Sequence, residues 1–282
     1  MVSLPFSQVG VGGLREARAE YWQLKDPGQH RLLIVFPVPG SVSWPQDRIR
    51  DMVIAWQWPR EHGFRGFHLL IMDTGAWFVD PDRFARSGSP EAFQEELRRV
   101  KEHLRGVVVH GRQFLDWAET RPEIDMRRVG VTGASIGGVV ASLVMGADTR
   151  IASGLFMMAG EDFGTIMAES KEESMRMIRD DAYRKFGWSQ EVFRNTVRAL
   201  FCDIDPMVWA RVIPPRPAHM FIAEYDTHIP AVSSWGLWEH LGRQRMPLVF
   251  YAEHKISFFG MSFLGGHRME YELYRFFSKT LQ

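Results

Sequence analysis

The sequence predicts an α/β protein built on a mostly parallel sheet. Short apolar runs of strand length alternate with segments whose apolar residues recur at helical spacing, and this alternation is typical of strand–helix units. The chain has 282 residues, of which 45% are hydrophobic and 24% are charged, as in an ordinary globular protein. No internal repeat or linker divides the sequence.

The predicted strands are apolar runs bounded by Gly, Pro or polar residues. The run over 32–36 is closed by Pro37, Pro39 and Gly40, since proline cannot continue a sheet ladder. Residues 15–24 are a candidate for an antiparallel edge strand. Further strands are expected over 67–72, 129–132, 151–158, 219–223 and 248–251.

The predicted helices carry apolar stripes at helical spacing. One is expected over 49–56 and ends before Pro59. Ser89 and Pro90 open the next as N-cap and first helical residue, and Gly106 and Gly111 are candidate breaks in it. Three more helices are expected, over 137–145, 232–241 and 269–277.

Residues 161–202 depart from the strand–helix rhythm. They are charged, Met-rich and helical in pattern, with no strand candidate. We interpret them as a helical cap inserted into one core domain, which is formed by residues 1–160 and 203–282.

Composition excludes several function classes. The 34 basic residues are balanced by 34 acidic ones, whereas a nucleic-acid-binding protein carries a positive excess. Cys202 is the one cysteine, so neither an intrachain disulfide nor a Cys-rich metal site is expected. No targeting segment and no apolar run of about 18 residues is found, so we expect a cytoplasmic protein without a membrane span.

Residues 133–137 read Gly-Ala-Ser-Ile-Gly and form the pattern G-x-S-x-G. A predicted strand precedes the pattern and a small-residue helix follows it, so the chain must turn sharply at Ser135. Glycine on both sides avoids collisions in such a turn. The backbone N–H of Ile136 then points to the position where an oxyanion develops. The alternative interpretation is a glycine-rich turn that holds a buried serine.

The chain here resembles the α/β-hydrolase superfamily. Residues 125–138 (Asp-Met-Arg-Arg-Val-Gly-Val-Thr-Gly-Ala-Ser-Ile-Gly-Gly) are similar to the approach to its nucleophile elbow. The resemblance in element order extends from about residue 32 to the C-terminus. It implies an eight-stranded, mostly parallel sheet flanked by helices, with the cap inserted after strand six. It also implies a Ser-acid-His triad in that chain order.

The acid implied by the resemblance is Asp226. Residues 216–230 are similar to the superfamily's seventh strand and its Gly-x-x-Asp-x-x-x-Pro loop, with Ala223 where glycine is usual. Asp226 could instead cap the next helix. Glu161 and Asp162 are rival acids, because they follow the preceding strand, where some members carry the acid.

The base implied by the resemblance is His267. It lies in a Gly-Gly-His sequence just before the final helix, where the superfamily's histidine lies. His254 is the alternative. It also follows the last strand, and the loop between the two histidines is long and apolar.

The second oxyanion donor implied by the resemblance is Val38. Residues 36–40 (Phe-Pro-Val-Pro-Gly) look like the superfamily's His-Gly-x-Pro-Gly turn. Pro37 and Pro39 have no N–H, so Val38 is the only donor in this turn. A proline turn without a catalytic role is the alternative.

The expected function is a serine hydrolase that cleaves a small-molecule ester or related acyl compound. It would be carboxylesterase-like, in class EC 3.1. An acyltransferase, a thioesterase, a small-substrate peptidase and a non-catalytic binding protein stay open. Met167 and Trp188 of the cap and His228 of the acid loop are candidate pocket residues. No metal or cofactor is expected, since neither H-E-x-x-H nor G-x-x-x-x-G-K-[ST] occurs.

Overall fold

One sheet contains the described strands of the chain. The structure is a computed structural model and describes residues 2–5, 16–39, 66–75, 77–254 and 268–282. The strands are β1 (Val2–Pro5), β2 (Glu16–Trp22), β3 (His30–Phe36), β4 (Phe67–Met72), β5 (Ile124–Ala134), β6 (Ser153–Met157), β7 (Ala218–Ala223) and β8 (Leu248–Phe250).

The sheet has the strand order β1-β2-β4-β3-β5-β6-β7-β8. All pairings from β4 to β8 are parallel. β2 runs antiparallel to β4, and the short β1 pairs antiparallel with β2 outside it. The prediction of a mostly parallel sheet is therefore confirmed, as is the antiparallel strand expected over 15–24. β2 is not the outermost strand, however, because β1 covers its edge.

The helices in the described part of the chain are α1 (Pro81–Ala85), α2 (Pro90–Glu119), α3 (Ile136–Ala147), α4 (Phe163–Glu169), α5 (Glu173–Phe186), α6 (Gln190–Phe201), α7 (Pro206–Trp209), α8 (Ala231–His240) and α9 (Arg268–Thr280). A short 3₁₀ helix, Ala210–Val212, follows α7. None of the helices in the described ranges is both long and apolar enough to cross a membrane. The helix predicted over 49–56 lies outside the described residues.

Two sequence predictions about element length are wrong. β5 has eleven residues instead of the four predicted. Its polar start is tolerated because the Asp125 carboxylate accepts hydrogen bonds from Arg127 and Arg128. α2 runs unbroken through both of its glycines. A Cβ on Gly111 would lie 2.8 Å from the Phe36 ring, so this glycine permits close packing.

The parallel strands are buried on both faces. In β3, Leu32, Ile34 and Phe36 belong to one apolar cluster, whereas Leu33 and Val35 belong to another. α2 and α3 cover the first face, and α9 covers the second. This two-sided burial explains why the strands read as continuous apolar runs.

Residues 161–202 contain α4, α5 and α6. Their large apolar side chains Phe163, Ile178 and Phe193 are fully or almost fully buried and join the first cluster. α5 packs against α1, and α6 packs against α2. The segment follows β6 directly, so it starts at the edge of the sheet that carries the carboxyl ends of the parallel strands.

Candidate active site

Ser135 forms a strained turn between β5 and α3. Its backbone angles are φ 55° and ψ −131°, a conformation that non-glycine residues adopt rarely and mostly at functional sites. Its amide donates to the Met157 carbonyl at 2.8 Å, and its own carbonyl accepts from Val139 at 3.0 Å. Neighbouring backbone therefore holds the strained residue on both sides.

The glycines that flank Ser135 are required by backbone contacts. A Cβ on Gly133 would overlap the Gly137 carbonyl oxygen, and a Cβ on Gly137 would overlap the Phe36 carbonyl oxygen. Because the obstructing atoms belong to the main chain, they cannot move aside as a flexible side chain would. The strand–turn–helix context that the motif needs is thus present.

Two backbone amides are candidates for an oxyanion hole. Ile136 is the first residue of α3, so no earlier helical turn accepts its N–H, and the positive end of the helix dipole lies there. Val38 is half-buried in the turn that follows β3. The close approach of Phe36 to Gly137 brings that turn next to Ser135.

Asp226 follows β7, and its side chain is completely buried. Its Oδ1 accepts the backbone N–H groups of His228 at 2.8 Å and Ile229 at 2.9 Å. Its Oδ2 lies 2.6 Å from Nδ1 of His254. The carboxylate therefore orders its own loop with one oxygen and binds an imidazole with the other.

His254 is the histidine that the structure brings to Asp226. A carboxylate can only accept a hydrogen bond, so Nδ1 of His254 carries a proton, and in the neutral imidazole Nε2 is the nitrogen that can accept one. The ring of His228 stacks on it, with centroids 4.9 Å apart and an angle of 16° between the planes. His267 lies outside the described residues, so its role stays a prediction.

The rival acids have partners elsewhere. Glu161 is buried, and its Oε2 lies 2.6 Å from Nδ1 of His240; burial raises the pKa of Glu161, although the hydrogen bond to His240 opposes this. Burial also disfavours the ionised form of Asp162, but hydrogen bonds from Arg198 and Thr165, together with the charge of Arg198, outweigh it and lower the pKa of that carboxyl. Neither rival contacts His254.

The candidate pocket residues occupy different environments. Met167 on α4 is almost completely buried in the first apolar cluster. Trp188 lies between α5 and α6 and contacts the rings of Phe93, Phe186 and Phe193. Only His228 lies beside the Asp226–His254 pair. Sequence reasoning did not foresee that contact, because stacking depends on where residues 251–254 lie after β8.

The candidate residues lie beyond the same edge of the sheet. Ser135 follows β5, Asp226 follows β7 and His254 follows β8, so all three lie beyond the carboxyl ends of parallel strands, where α/β sheets bind ligands. Within the part of the chain that the structure describes, no three potential metal ligands lie together. The arrangement supplies a hydroxyl, a carboxylate–imidazole pair and backbone donors, which are the components of acyl transfer.

Comparison with solved structures identifies the fold. The chain is similar to an acetyl xylan esterase from Paenibacillus sp. R4, with 19% identity, a TM-score of 0.65 and coverage of 94% of this chain and 80% of the esterase. Acetyl xylan esterase 1 from Thermoanaerobacterium sp. JW/SL YS485 matches with 18% identity and a TM-score of 0.62, over 95% of this chain and 80% of the esterase.

A Pyrococcus horikoshii acylaminoacyl peptidase is also similar, with 15% identity and a TM-score of 0.59. The match covers 94% of this chain but 40% of the peptidase, so this chain spans less than half of that protein's length. No protein-family model and no curated protein matches the chain. Because the sequence identities to these structures are below 20%, the comparison shows the fold alone. The chain has the α/β-hydrolase fold.

Proposed function

We propose that this protein is a serine hydrolase that cleaves a carboxylic ester or a related acyl compound through an acyl-enzyme intermediate. The observation that carries the proposal is the strained Ser135, with φ 55°, on the same sheet edge as a buried carboxylate–imidazole pair. The esterases among the similar structures support the ester class. A carboxylesterase-like activity, in class EC 3.1, is therefore the best-supported assignment.

In the proposed mechanism, the histidine takes the proton of Ser135 while Oγ attacks the acyl carbonyl. The backbone N–H groups of Ile136 and Val38 hold the oxyanion. The histidine then protonates the leaving group, and water, activated by the same histidine, releases the acyl group. Asp226 fixes the tautomer in which Nε2 accepts the proton.

The hydrogen bond to Asp226 supports His254 as the base. His267, which the order of elements favours, is the alternative. Glu161 and Asp162 are less suitable candidates for the triad acid, because Glu161 is already bound to the imidazole of His240 and Asp162 to the guanidinium of Arg198.

Labelling with a fluorophosphonate probe tests the nucleophile. We expect the wild type to be labelled and Ser135→Ala to be unlabelled, with a loss of ester turnover of about 10⁴-fold or more. Persistent turnover in purified Ser135→Ala would contradict the assignment. A panel of p-nitrophenyl esters of increasing acyl length gives the substrate range, and competing alcohols or amines distinguish hydrolysis from acyl transfer.

Paired variants test the other two residues. His254→Gln should abolish turnover and His267→Gln should not; the reverse result would make His267 the base.

Asp226→Asn should reduce kcat more than Glu161→Gln or Asp162→Asn, because an amide cannot fix the productive histidine tautomer. If a variant of Glu161 or Asp162 is the more damaging, the acid lies after β6.

A further inference from the structure

The loop that follows Asp226 is fixed at every residue up to Ile229. The N–H groups of His228 and Ile229 donate to Asp226 Oδ1, and the Ile229 side chain is buried. The Thr227 carbonyl accepts the backbone N–H of Lys171 at 2.6 Å. His228 therefore extends from a main chain with little freedom, and its ring lies flat on that of His254.

The structure contains a second carboxylate–imidazole pair of the same length, Glu161–His240, also at 2.6 Å. There, the guanidinium of Arg211 donates to Nε2 of His240 at 2.8 Å. The His240 ring is thus held at both nitrogens. An imidazole whose Nε2 lone pair is occupied in this way cannot accept a proton from a nucleophile.

His254 has a different requirement. A general base must keep Nε2 open to the proton that it takes, so a competing donor such as the Arg211 guanidinium at His240 cannot orient the ring from that nitrogen. The bond from Nδ1 to Asp226 holds one edge of the ring and does not act on its faces. A flat contact on a ring face limits tilting of the ring and uses neither of its nitrogens.

We infer that His228 is a positioning residue that orients the catalytic imidazole of His254 by stacking on its face. This inference rests on the proposed function and on His254 as the base. Flat contacts between rings at this separation are favourable, and small misplacements of a catalytic group reduce the rate strongly. We therefore expect loss of the His228 ring to act mainly on kcat, through His254, with KM little changed.

The test compares His228→Ala, which removes the ring, with His228→Phe, which keeps a flat ring without nitrogens. With p-nitrophenyl acetate, we expect His228→Ala to lower kcat roughly tenfold and to leave KM within about twofold. The rate of fluorophosphonate labelling of Ser135 should fall by the same factor as kcat. His228→Phe should restore most of kcat.

His240→Ala is the matched control, because it removes the imidazole from the other carboxylate. It should lower the melting temperature and leave kcat near the wild-type value. Wild-type kcat in His228→Ala would overturn the inference, and so would His228→Phe that is as slow as His228→Ala. These outcomes differ from failure of the proposed function, in which the wild type is neither labelled nor active, and from a base assignment that moves to His267.

Discussion

Replacing Ser135 by glycine should make the protein more stable while it abolishes activity. The backbone of Ser135 has φ 55° and ψ −131°, a region that glycine enters freely and other residues enter at a cost of about 1–3 kcal/mol. Glycine in turn loses about 0.5–1 kcal/mol more conformational entropy on folding than alanine. The difference predicts a gain of about 1 kcal/mol in the free energy of unfolding.

Ser135→Ala is the control that isolates backbone strain. It keeps the Cβ, and therefore the strain, and it lacks the hydroxyl just as glycine does. The Ser135 hydroxyl has no hydrogen-bond partner among the described side chains and backbone groups, so both variants lose the same interactions. Any difference in stability between the two variants then comes from the backbone.

The assay is urea unfolding followed by circular dichroism, with thermal melting as a second measurement. For a chain of this size, about 1 kcal/mol corresponds to roughly 2 °C in melting temperature. Ser135→Gly should unfold at a higher urea concentration than Ser135→Ala, with the same slope. Equal or lower stability of the glycine variant would refute the idea that the turn stores strain.

Three further predictions concern the surroundings of the site. Gly137→Ala should lower the free energy of unfolding by about 3 kcal/mol, because the new Cβ would collide with the Phe36 carbonyl. The control in urea unfolding is Gly88→Ala, because the space around Gly88 is open. An equal effect of the two substitutions would contradict the predicted collision. Burial lowers the pKa of His219 to about 4, whereas in the unfolded chain the pKa of a histidine is about 6.5. Between these two pH values the unfolded chain binds a proton at His219 that the folded protein does not bind. The free energy of unfolding therefore falls as the pH falls through this range. His219→Phe should reduce the pH dependence of the free energy of unfolding by up to about 1.4 kcal/mol per pH unit. If urea unfolding gives the same pH dependence for the variant and the wild type, this role of His219 is refuted. Trp188→Ala should lower the free energy of unfolding by about 3 kcal/mol, because the ring contacts are lost, and should leave the preference for acyl length unchanged. A changed preference together with a wild-type melting temperature would instead make Trp188 a pocket residue.

The sequence predicted those parts of the fold that depend on local pattern. Alternating strand and helix periods gave the parallel sheet, and the glycines around Ser135 identified the turn because backbone collisions act over only a few residues. The length of β5 was missed because its first residues are charged. They are held as a strand by non-local pairing with His30 of β3, and Asp125 offsets the charges of Arg127 and Arg128.

The partner of Asp226 is harder to predict from sequence. The order of elements favours His267, whereas the structure pairs Asp226 with His254. A hydrogen bond across the ends of β7 and β8 depends on the path of the loop that follows β8, and no local periodicity encodes that path. The same reason explains why the stacking of His228 could not be predicted.

The sequence left the role of the apolar residues of 161–202 open. In the sequence, Met167 and Trp188 could belong to an acyl pocket or to packing, because both uses require large apolar side chains. In the structure, Met167 is buried in the first apolar cluster, and Trp188 packs against three phenylalanine rings. These packing contacts account for the apolar side chains on their own, so the richness of this segment in apolar residues is not by itself evidence for a long acyl chain, and the pocket roles of Met167 and Trp188 stay predictions.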